Sequence, residues 1–490
     1  MADTNDTDLV ALARRAMDEE GLFADFPPEV LREAETAAEA SHNVAAGPGA
    51  RDLRGLLWSS IDNEESRDLD QVEYAEELHE GGGVRLLIGV ADVDAFAPRG
   101  SAVDLHARLN TVSVYTPAVV FHLLPESLST DATSLLEGAD RLALVVELHV
   151  GGDGKIWTTD VYPALVRNRA KLVYETVGAW LKGDAPVPPE VARVEGLEGQ
   201  LRMQARVADS LRALRRERGS LELETIEAQP VLKDGKVVDL AIKVRTPAQD
   251  IIEAFMVAAN TSMAEFLQAR GVPSLRRVVR RPERWRRLAD LALDFGERLP
   301  RRPDSRALSA FLARRKREAP GDYAELSLAV MKLLGAGDYL VEAPGLDQEG
   351  HFGLAVGDYT HSTAPNRRYP DLVTQRCLKA AAAGSPAPYT IEELEEIADR
   401  CNDRESASRK VERLTHKAAV AMLLRGRAGE VFDAVVTGVK DRGTFVRLTL
   451  PPAEGKLVEG EEGLDVGDRL RVRLLSADPS RGFIDFARVR

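Results

Sequence analysis

The sequence predicts an α+β chain in three parts: a helical unit over residues 1–48, a large mixed domain over 49–426 and a small β-barrel over 427–490. Three observations lead there. Apolar residues recur at helical spacing near the start, strand-like and then helical patterns fill the middle, and short β-rich runs between Gly- and Asp-containing turns fill the end. At 490 residues the chain can bury a sizeable core without disulfide staples.

In the first part Leu9, Val10, Ala13 and Met17 form a stripe that Gly21 ends; Phe23 and Phe26 follow, and Pro27-Pro28 opens a second helix through Val30 and Leu31. A helix-turn-helix-like pair is expected, a unit that either binds nucleic acid or serves packing. Gly47-Pro48-Gly49 marks a linker. Strands are expected from Leu53 to Val244, with apolar runs at Val84–Val93 and Leu142–Val150 and hairpin turns at Gly151–Gly154 and Asp234-Gly235. Helices dominate from Gln249 to Leu424, including Asp250–Leu267 and Ile391–Leu424. Runs at Val431–Val439, Thr444–Leu450, Arg469–Leu475 and Phe483–Phe486 suggest four or five strands closing into an OB-fold barrel.

Cys377 and Cys401 are the only cysteines, too few for a disulfide framework or a cysteine-based zinc site. No apolar run reaches ~18 residues and the first residues are acidic, so a soluble, cytoplasmic protein without a membrane partner is expected. The formal charge of −14 hides a reversal: residues 270–317 hold sixteen Lys/Arg against five Asp/Glu. Such a face can bind phosphates, or it can be a solvated helical surface.

The densest chemistry follows Trp58, in Ser59-Ser60-Ile61-Asp62-Asn63-Glu64-Glu65-Ser66-Arg67-Asp68-Leu69-Asp70-Gln71. Asp62, Asp68 and Asp70 can converge oxygens on one point, which suits Mg²⁺, an ion held by one or two carboxylates plus water and substrate phosphate. An acidic solvated loop and a calcium-binding turn are the alternatives, although the helix-loop-helix calcium template is not met in register. A second constellation joins His351-Phe352-Gly353-Leu354 to Tyr359-Thr360-His361-Ser362-Thr363-Ala364-Pro365-Asn366-Arg367-Arg368-Tyr369-Pro370-Asp371-Leu372. Pro365 fits a helix start with two guanidiniums in its first turn, where phosphate oxygens are well received. Pairing of one arginine with Asp371 is the structural alternative.

These motifs stand in a fixed order with Ala91-Asp92-Val93, Val114-Tyr115-Thr116-Pro117, Leu124-Pro125-Glu126-Ser127-Leu128-Ser129, and Ile252-Glu253 through Ala259-Asn260. In that order the chain is similar to the ribonuclease II (RNB) exoribonucleases over roughly Arg51 to Arg490. The resemblance implies a processive enzyme that hydrolyses single-stranded RNA from its 3′ end to nucleoside 5′-monophosphates with Mg²⁺, Mn²⁺ being possible; a monomer is expected. It implies that Asp62, Asp68 and Asp70 surround the metal and the attacking water, with Asp70 most critical to chemistry. Gln71 stands where the family has a fourth acid and offers an amide oxygen instead. Arg367 is implied to stabilise the transition state and Tyr115 to hold bases near the 3′ end. Arg277, within the basic segment, Arg368 and the barrel's Phe445, beside Phe432 and Arg447, are expected RNA contacts. Ser362, Ala364, Asn366, Val279 and Ser408, the last in place of a glutamate, depart from the family pattern. Helices stand where members commonly carry two cold-shock barrels, so a more open entrance and passage into structured RNA with a 3′ overhang are expected. The alternatives are an RNB-fold RNA-binding or regulatory protein whose catalysis is weakened at Gln71, and a DNA-directed phosphodiesterase.

Overall fold

The computed structural model describes residues 8–41, 49–78, 82–224, 227–233, 235–243, 245–344, 350–440, 443–465 and 467–489. Gly47 and Pro48 of the expected linker, Asp234 of the second hairpin turn, Val244 and Arg490 lie outside them. The architecture is α+β with a closed five-stranded barrel at the end.

Helix α1 (Leu9–Glu19) starts where the Asp8 carboxylate accepts the Val10 N–H at 2.8 Å, and α2 (Pro28–Ala40) starts with proline in its first turn. The buried stripe of α1 is Leu9, Leu12, Ala13, Ala16 and Met17; Val10, expected inside, is exposed, because spacing of three and four keeps one face and a neighbour one residue on leaves it.

The main sheet holds β1 (Arg51–Asp52), β2 (Trp58–Asp62), β3 (Gln71–Glu77), β4 (Val84–Ala91), β7 (Asp140–Val150) and β8 (Ile156–Val173), in the order β1-β8-β2-β3-β4-β7. Long β8 also pairs with β7, so the sheet curls back on itself. Between β4 and β7 lie α3 (Ala102–Asn110) and the short hairpin β5 (Val114–Tyr115) and β6 (Val120–Phe121). Strands were expected as far as Val244, yet α4 (Tyr174–Lys182), α5 (Pro189–Ala192) and α6 (Leu197–Arg218) interrupt them. The buried Leu197, Leu201, Ala208 and Leu211 of α6 follow a helical period, and its charged outer face dilutes the apolar signal.

After the hairpin β9 (Glu227–Lys233) and β10 (Lys236–Lys243), α7 (Pro247–Ala269) opens with a capping box between Thr246 and Gln249. Then come β11 (Ser274–Val278), a three-helix unit of α8 (Trp285–Asp294), α9 (Ser305–Glu318) and α10 (Tyr323–Leu334), and β12 (Asp338–Glu342), which pairs with β11. Helix α11 (Tyr369–Ala382) and the long α12 (Ile391–Leu424) lead to the barrel: β13 (Val431–Lys440), β14 (Gly443–Leu448), β15 (Glu454–Glu459), β16 (Arg469–Asp478) and β17 (Phe483–Arg488).

The N-terminal helices share their cores with the rest of the chain. Met17 packs with Val114, Phe121, Ala407 and Val411, Leu9 and Leu12 pack with Ala418 and Ala419 of α12, and Val30 of α2 joins the main sheet core. Among the described residues no helix is long and apolar enough to cross a membrane.

Candidate active site

Strands β2 and β3 run antiparallel, with Ser59 opposite Glu73, so the end of β2 and the start of β3 reach the same sheet edge. Asp62 closes β2 and Asp70 precedes β3 there. The loop between them is fixed largely by backbone. Asp62 Oδ1 accepts from Asn63 N–H at 2.7 Å and Ser66 Oγ at 2.9 Å, and Lys171 Nζ on β8 donates to the Glu64 and Ser66 carbonyls at 2.8 and 2.6 Å. Ser134 Oγ donates to the Arg67 carbonyl at 2.6 Å and accepts the Leu69 N–H at 2.9 Å. Leu69 points into the core, and its two acidic neighbours point elsewhere.

Asp70 is 3% exposed; its Oδ1 accepts the Asn366 backbone N–H and its Oδ2 the Arg367 Nε, each at 3.2 Å. Burial pushes the Asp70 carboxyl up to about 7, with the Asp68 charge adding and Arg367 opposing. Burial, with Asp68 adding, also raises Asp62. The Arg367 side chain remains 43% exposed, and neither of its Nη groups is hydrogen-bonded among the described residues. Tyr115, at 42% exposure, donates from its hydroxyl to Asp68 Oδ2 at 3.4 Å.

The helix of the arginine motif begins at Tyr369, not Pro365, because Pro370 takes the first-turn position and residues 364–368 close a turn through the Ala364 carbonyl. Arg368 forks onto Asp371 at 2.8 and 2.7 Å, and that fully buried carboxylate also accepts the Ala364 N–H at 2.8 Å. Arg368, expected at the RNA, is thus engaged within the fold, as is Arg277, whose two Nη groups meet Glu405 at 2.7 and 2.9 Å. Asn260 on α7 holds the preceding loop, accepting the Ser362 N–H at 3.0 Å and donating to Tyr359 and Thr363 at 3.3 Å. In the barrel Phe445 is half-buried, Phe432 belongs to the core, and Arg447 is paired with Glu325 of α10.

Two carboxylates here escaped the sequence reading. Glu412, one turn beyond Ser408 on the same face of α12, accepts from Ser408 Oγ at 3.3 Å and from the Tyr115 N–H at 3.1 Å, returning a carboxylate to the vicinity of Ser408. The i, i+4 spacing was the available signal. Glu73 is fully buried with neither oxygen hydrogen-bonded among the described residues. Burial, and then the Asp62 charge, push its carboxyl well above the usual range. A raised folded-state pKa contributes stability below the unfolded value near 4.5 and loses it as pH rises toward the folded one. Glu73→Leu is therefore expected to stabilise the chain by about 1–3 kcal/mol at neutral pH, with the gain shrinking toward pH 4.5. Thermal melts of both proteins at the two pH values check this, and a gain independent of pH contradicts it.

Among the described residues no three carboxylate, imidazole or thiolate groups stand close enough to form a cation shell unaided. The donor set is nevertheless hard oxygen, and the Gln71 side chain makes no hydrogen bond among the described residues, leaving its amide oxygen free. Asp70 is buried against a single guanidinium, a deficit of positive charge that a divalent ion relieves. The residues present fit a Mg²⁺ held by one or two of Asp62, Asp68 and Asp70, with water and substrate oxygens completing its shell.

The family described as RNB domain matches residues 50–384, and the one described as RNase II-type exonuclease C-terminal S1 domain matches residues 430–489. Ribonuclease R of Thermotoga maritima is 32% identical over 95% of this chain and 68% of its own length, and Ribonuclease R 1 of Lactococcus lactis 27% identical over 95% and 59%. The chain thus spans roughly three-fifths to two-thirds of these relatives. The structure of Mycoplasma genitalium RNase R with ribose-methylated single-stranded RNA superposes with a TM-score of 0.87 at 24% identity, covering 99% of this chain and 78% of that one. The same protein with double-stranded RNA gives 0.84, covering 99% and 84%.

Proposed function

The chain belongs to the RNB family, and from that premise we propose that it is a Mg²⁺-dependent 3′-to-5′ exoribonuclease that releases nucleoside 5′-monophosphates from single-stranded RNA. The observation that carries the proposal is the Asp70–Arg367 contact at 3.2 Å, at the sheet edge where Asp62 and Asp68 also arrive. Mg²⁺, when bound, supplies a water of lowered pKa and neutralises charge on the phosphate. Arg367 keeps one edge of its guanidinium on Asp70 and offers the other to a non-bridging phosphate oxygen. Its position is fixed before reaction, so it stabilises the transition-state charge without reorganisation. Tyr115 presents a ring to the terminal base while its hydroxyl rests on Asp68. Relatives of this protein include one solved with double-stranded RNA, which supports entry into structured RNA from a 3′ overhang. All the groups invoked come from one chain, so a monomer suffices.

The neutral Gln71 favours one other reading, an RNA-binding protein of weakened catalysis. End-labelled single-stranded RNA, incubated with the chain with and without Mg²⁺, separates them: a ladder of mononucleotide release is expected, and binding without release supports the weakened protein. A matched DNA oligomer tests the RNA preference. Arg367→Ala is expected to lower kcat by roughly 10²–10³-fold, as for the loss of one fixed transition-state donor. Arg367→Lys keeps the charge but not the fork and recovers only part of it.

A further inference from the structure

The basic segment 270–317 contains two kinds of cation. Arg276 and Arg277 are buried, and Arg314, Arg315 and Lys316 are paired with Glu297, Glu318 and Glu224. In contrast, Arg281, Arg284, Arg286 and Arg287, crowded at the start of α8, are exposed, and their side chains have no ion-pair or hydrogen-bond partner among the described residues; the same holds for Arg301 and Arg302 before α9. The chain carries 79 Asp/Glu, so the lack of partners here is a local arrangement and not a shortage of acids.

This arrangement costs stability. Arg284 is the N-cap of α8 without a capping side chain, and the first turn holds no acidic residue, so cations stand on the positive end of the helix dipole and beside one another. The buried stripe Trp285, Leu288 and Ala292 turns toward α9 and α10, which leaves the arginines facing outward. Arg284 and Arg287 line a cavity of about 1960 Å³ between the three-helix unit and barrel strands β13, β14 and β16. Phe295, 41% exposed with the Arg315 guanidinium 4.6 Å from its ring centre, lines the same cavity and offers a stacking surface. Asp290 and Asp294 also line it, so the positive surface is confined to the first half of α8.

We propose that this face of α8 and its flanking loops grips the phosphate backbone of the RNA strand 5′ of the end being cleaved. The inference rests on the exoribonuclease reading and adds to it a contact surface outside the carboxylate site. A polyanion relieves the repulsion among the arginines, and Phe295 accepts a base beside them.

The test uses the full chain carrying Asp70→Asn, so that RNA is bound and not consumed. Fluorescence anisotropy compares labelled RNAs of about 24 and about 5 nucleotides across a salt series. Replacing Arg281, Arg284, Arg286 and Arg287 together by Gln is expected to weaken binding of the longer RNA at least tenfold. It should also reduce the slope of log K against log salt by about 3, at ~0.7 per lost phosphate contact, and cost the short RNA much less. The matching Arg→Lys variant should restore the salt slope. Unchanged affinity for the longer RNA, or equal losses at both lengths, overturns the proposal. Failure of the unsubstituted chain to release nucleotides with Mg²⁺ would remove the exoribonuclease reading but leave this binding result standing.

Discussion

Asp70→Asn is expected to reduce Mg²⁺-dependent nucleotide release by on the order of 10³-fold or more, about 4 kcal/mol or more in the barrier, while the protein stays folded and binds RNA at least as well. The substitution keeps the size of a side chain that is 3% exposed and leaves an amide oxygen able to accept the Asn366 N–H. What it removes is a negative charge in a position where burial already pushes the carboxyl up to about 7, so folding loses little and can gain. RNA affinity follows the same sign, since a charge facing phosphate is gone. A bound Mg²⁺ would lose one of the carboxylates available to it, and the neutral amide of Gln71 could not restore that charge. Single-turnover release with saturating enzyme, beside anisotropy on the same RNA, measures both quantities. Activity within tenfold of the unsubstituted chain would remove Asp70 from the chemistry.

Arg368→Ala should act on stability, costing about 3–5 kcal/mol, because it strands the fully buried carboxylate of Asp371 without its cation. Asp371 also holds the Ala364 N–H, so the turn carrying Asn366 and Arg367 loosens with it and activity falls as a consequence. Arg368→Lys recovers little, since a single ammonium cannot reproduce the two-point contact. Thermal unfolding distinguishes this from the RNA contact expected from the sequence: a variant with unchanged melting temperature but weakened RNA affinity would restore that expectation.

The contrast between neighbouring arginines shows what a sequence can carry and what it cannot. That Asp62 and Asp70 arrive at one sheet edge was legible because they bracket a polar turn that returns the chain there. The helix bounded by Ile391 and Leu424 was legible from its length, and the structure adds a capping box at Thr390 that starts it. That Arg367 faces open space while Arg368 turns inward depends on where the helix starts, and two prolines compete for that place. Arg277 was read as an RNA contact, and its pairing was not legible because its partner Glu405 is 128 residues away. Glu73 lies on a strand whose alternation suggests a solvent face, but α6 covers that face, and coverage by a distant element has no local signature. Strand β15 was missed for a related reason: within Glu454–Glu459 only Gly455 and Leu457 are buried, too short an alternation to register.

Because Leu9, Leu12 and Met17 cover apolar residues of α12, deleting them would uncover those residues, and a change in RNA processing by a truncated chain would report on packing as well as on any role in guiding substrate.

The Asp62–Asp70 loop, with a neutral Gln71 and the Arg367 fork beside it, is expected to sustain metal-dependent hydrolysis. Time courses of 5′-labelled single-stranded RNA with the purified chain, with Mg²⁺ and again after chelation, test that most directly. Stepwise shortening from the 3′ end with mononucleotide release, abolished by the chelator and restored by added Mg²⁺, is the predicted result. Tight RNA binding with no shortening at any Mg²⁺ concentration would contradict it.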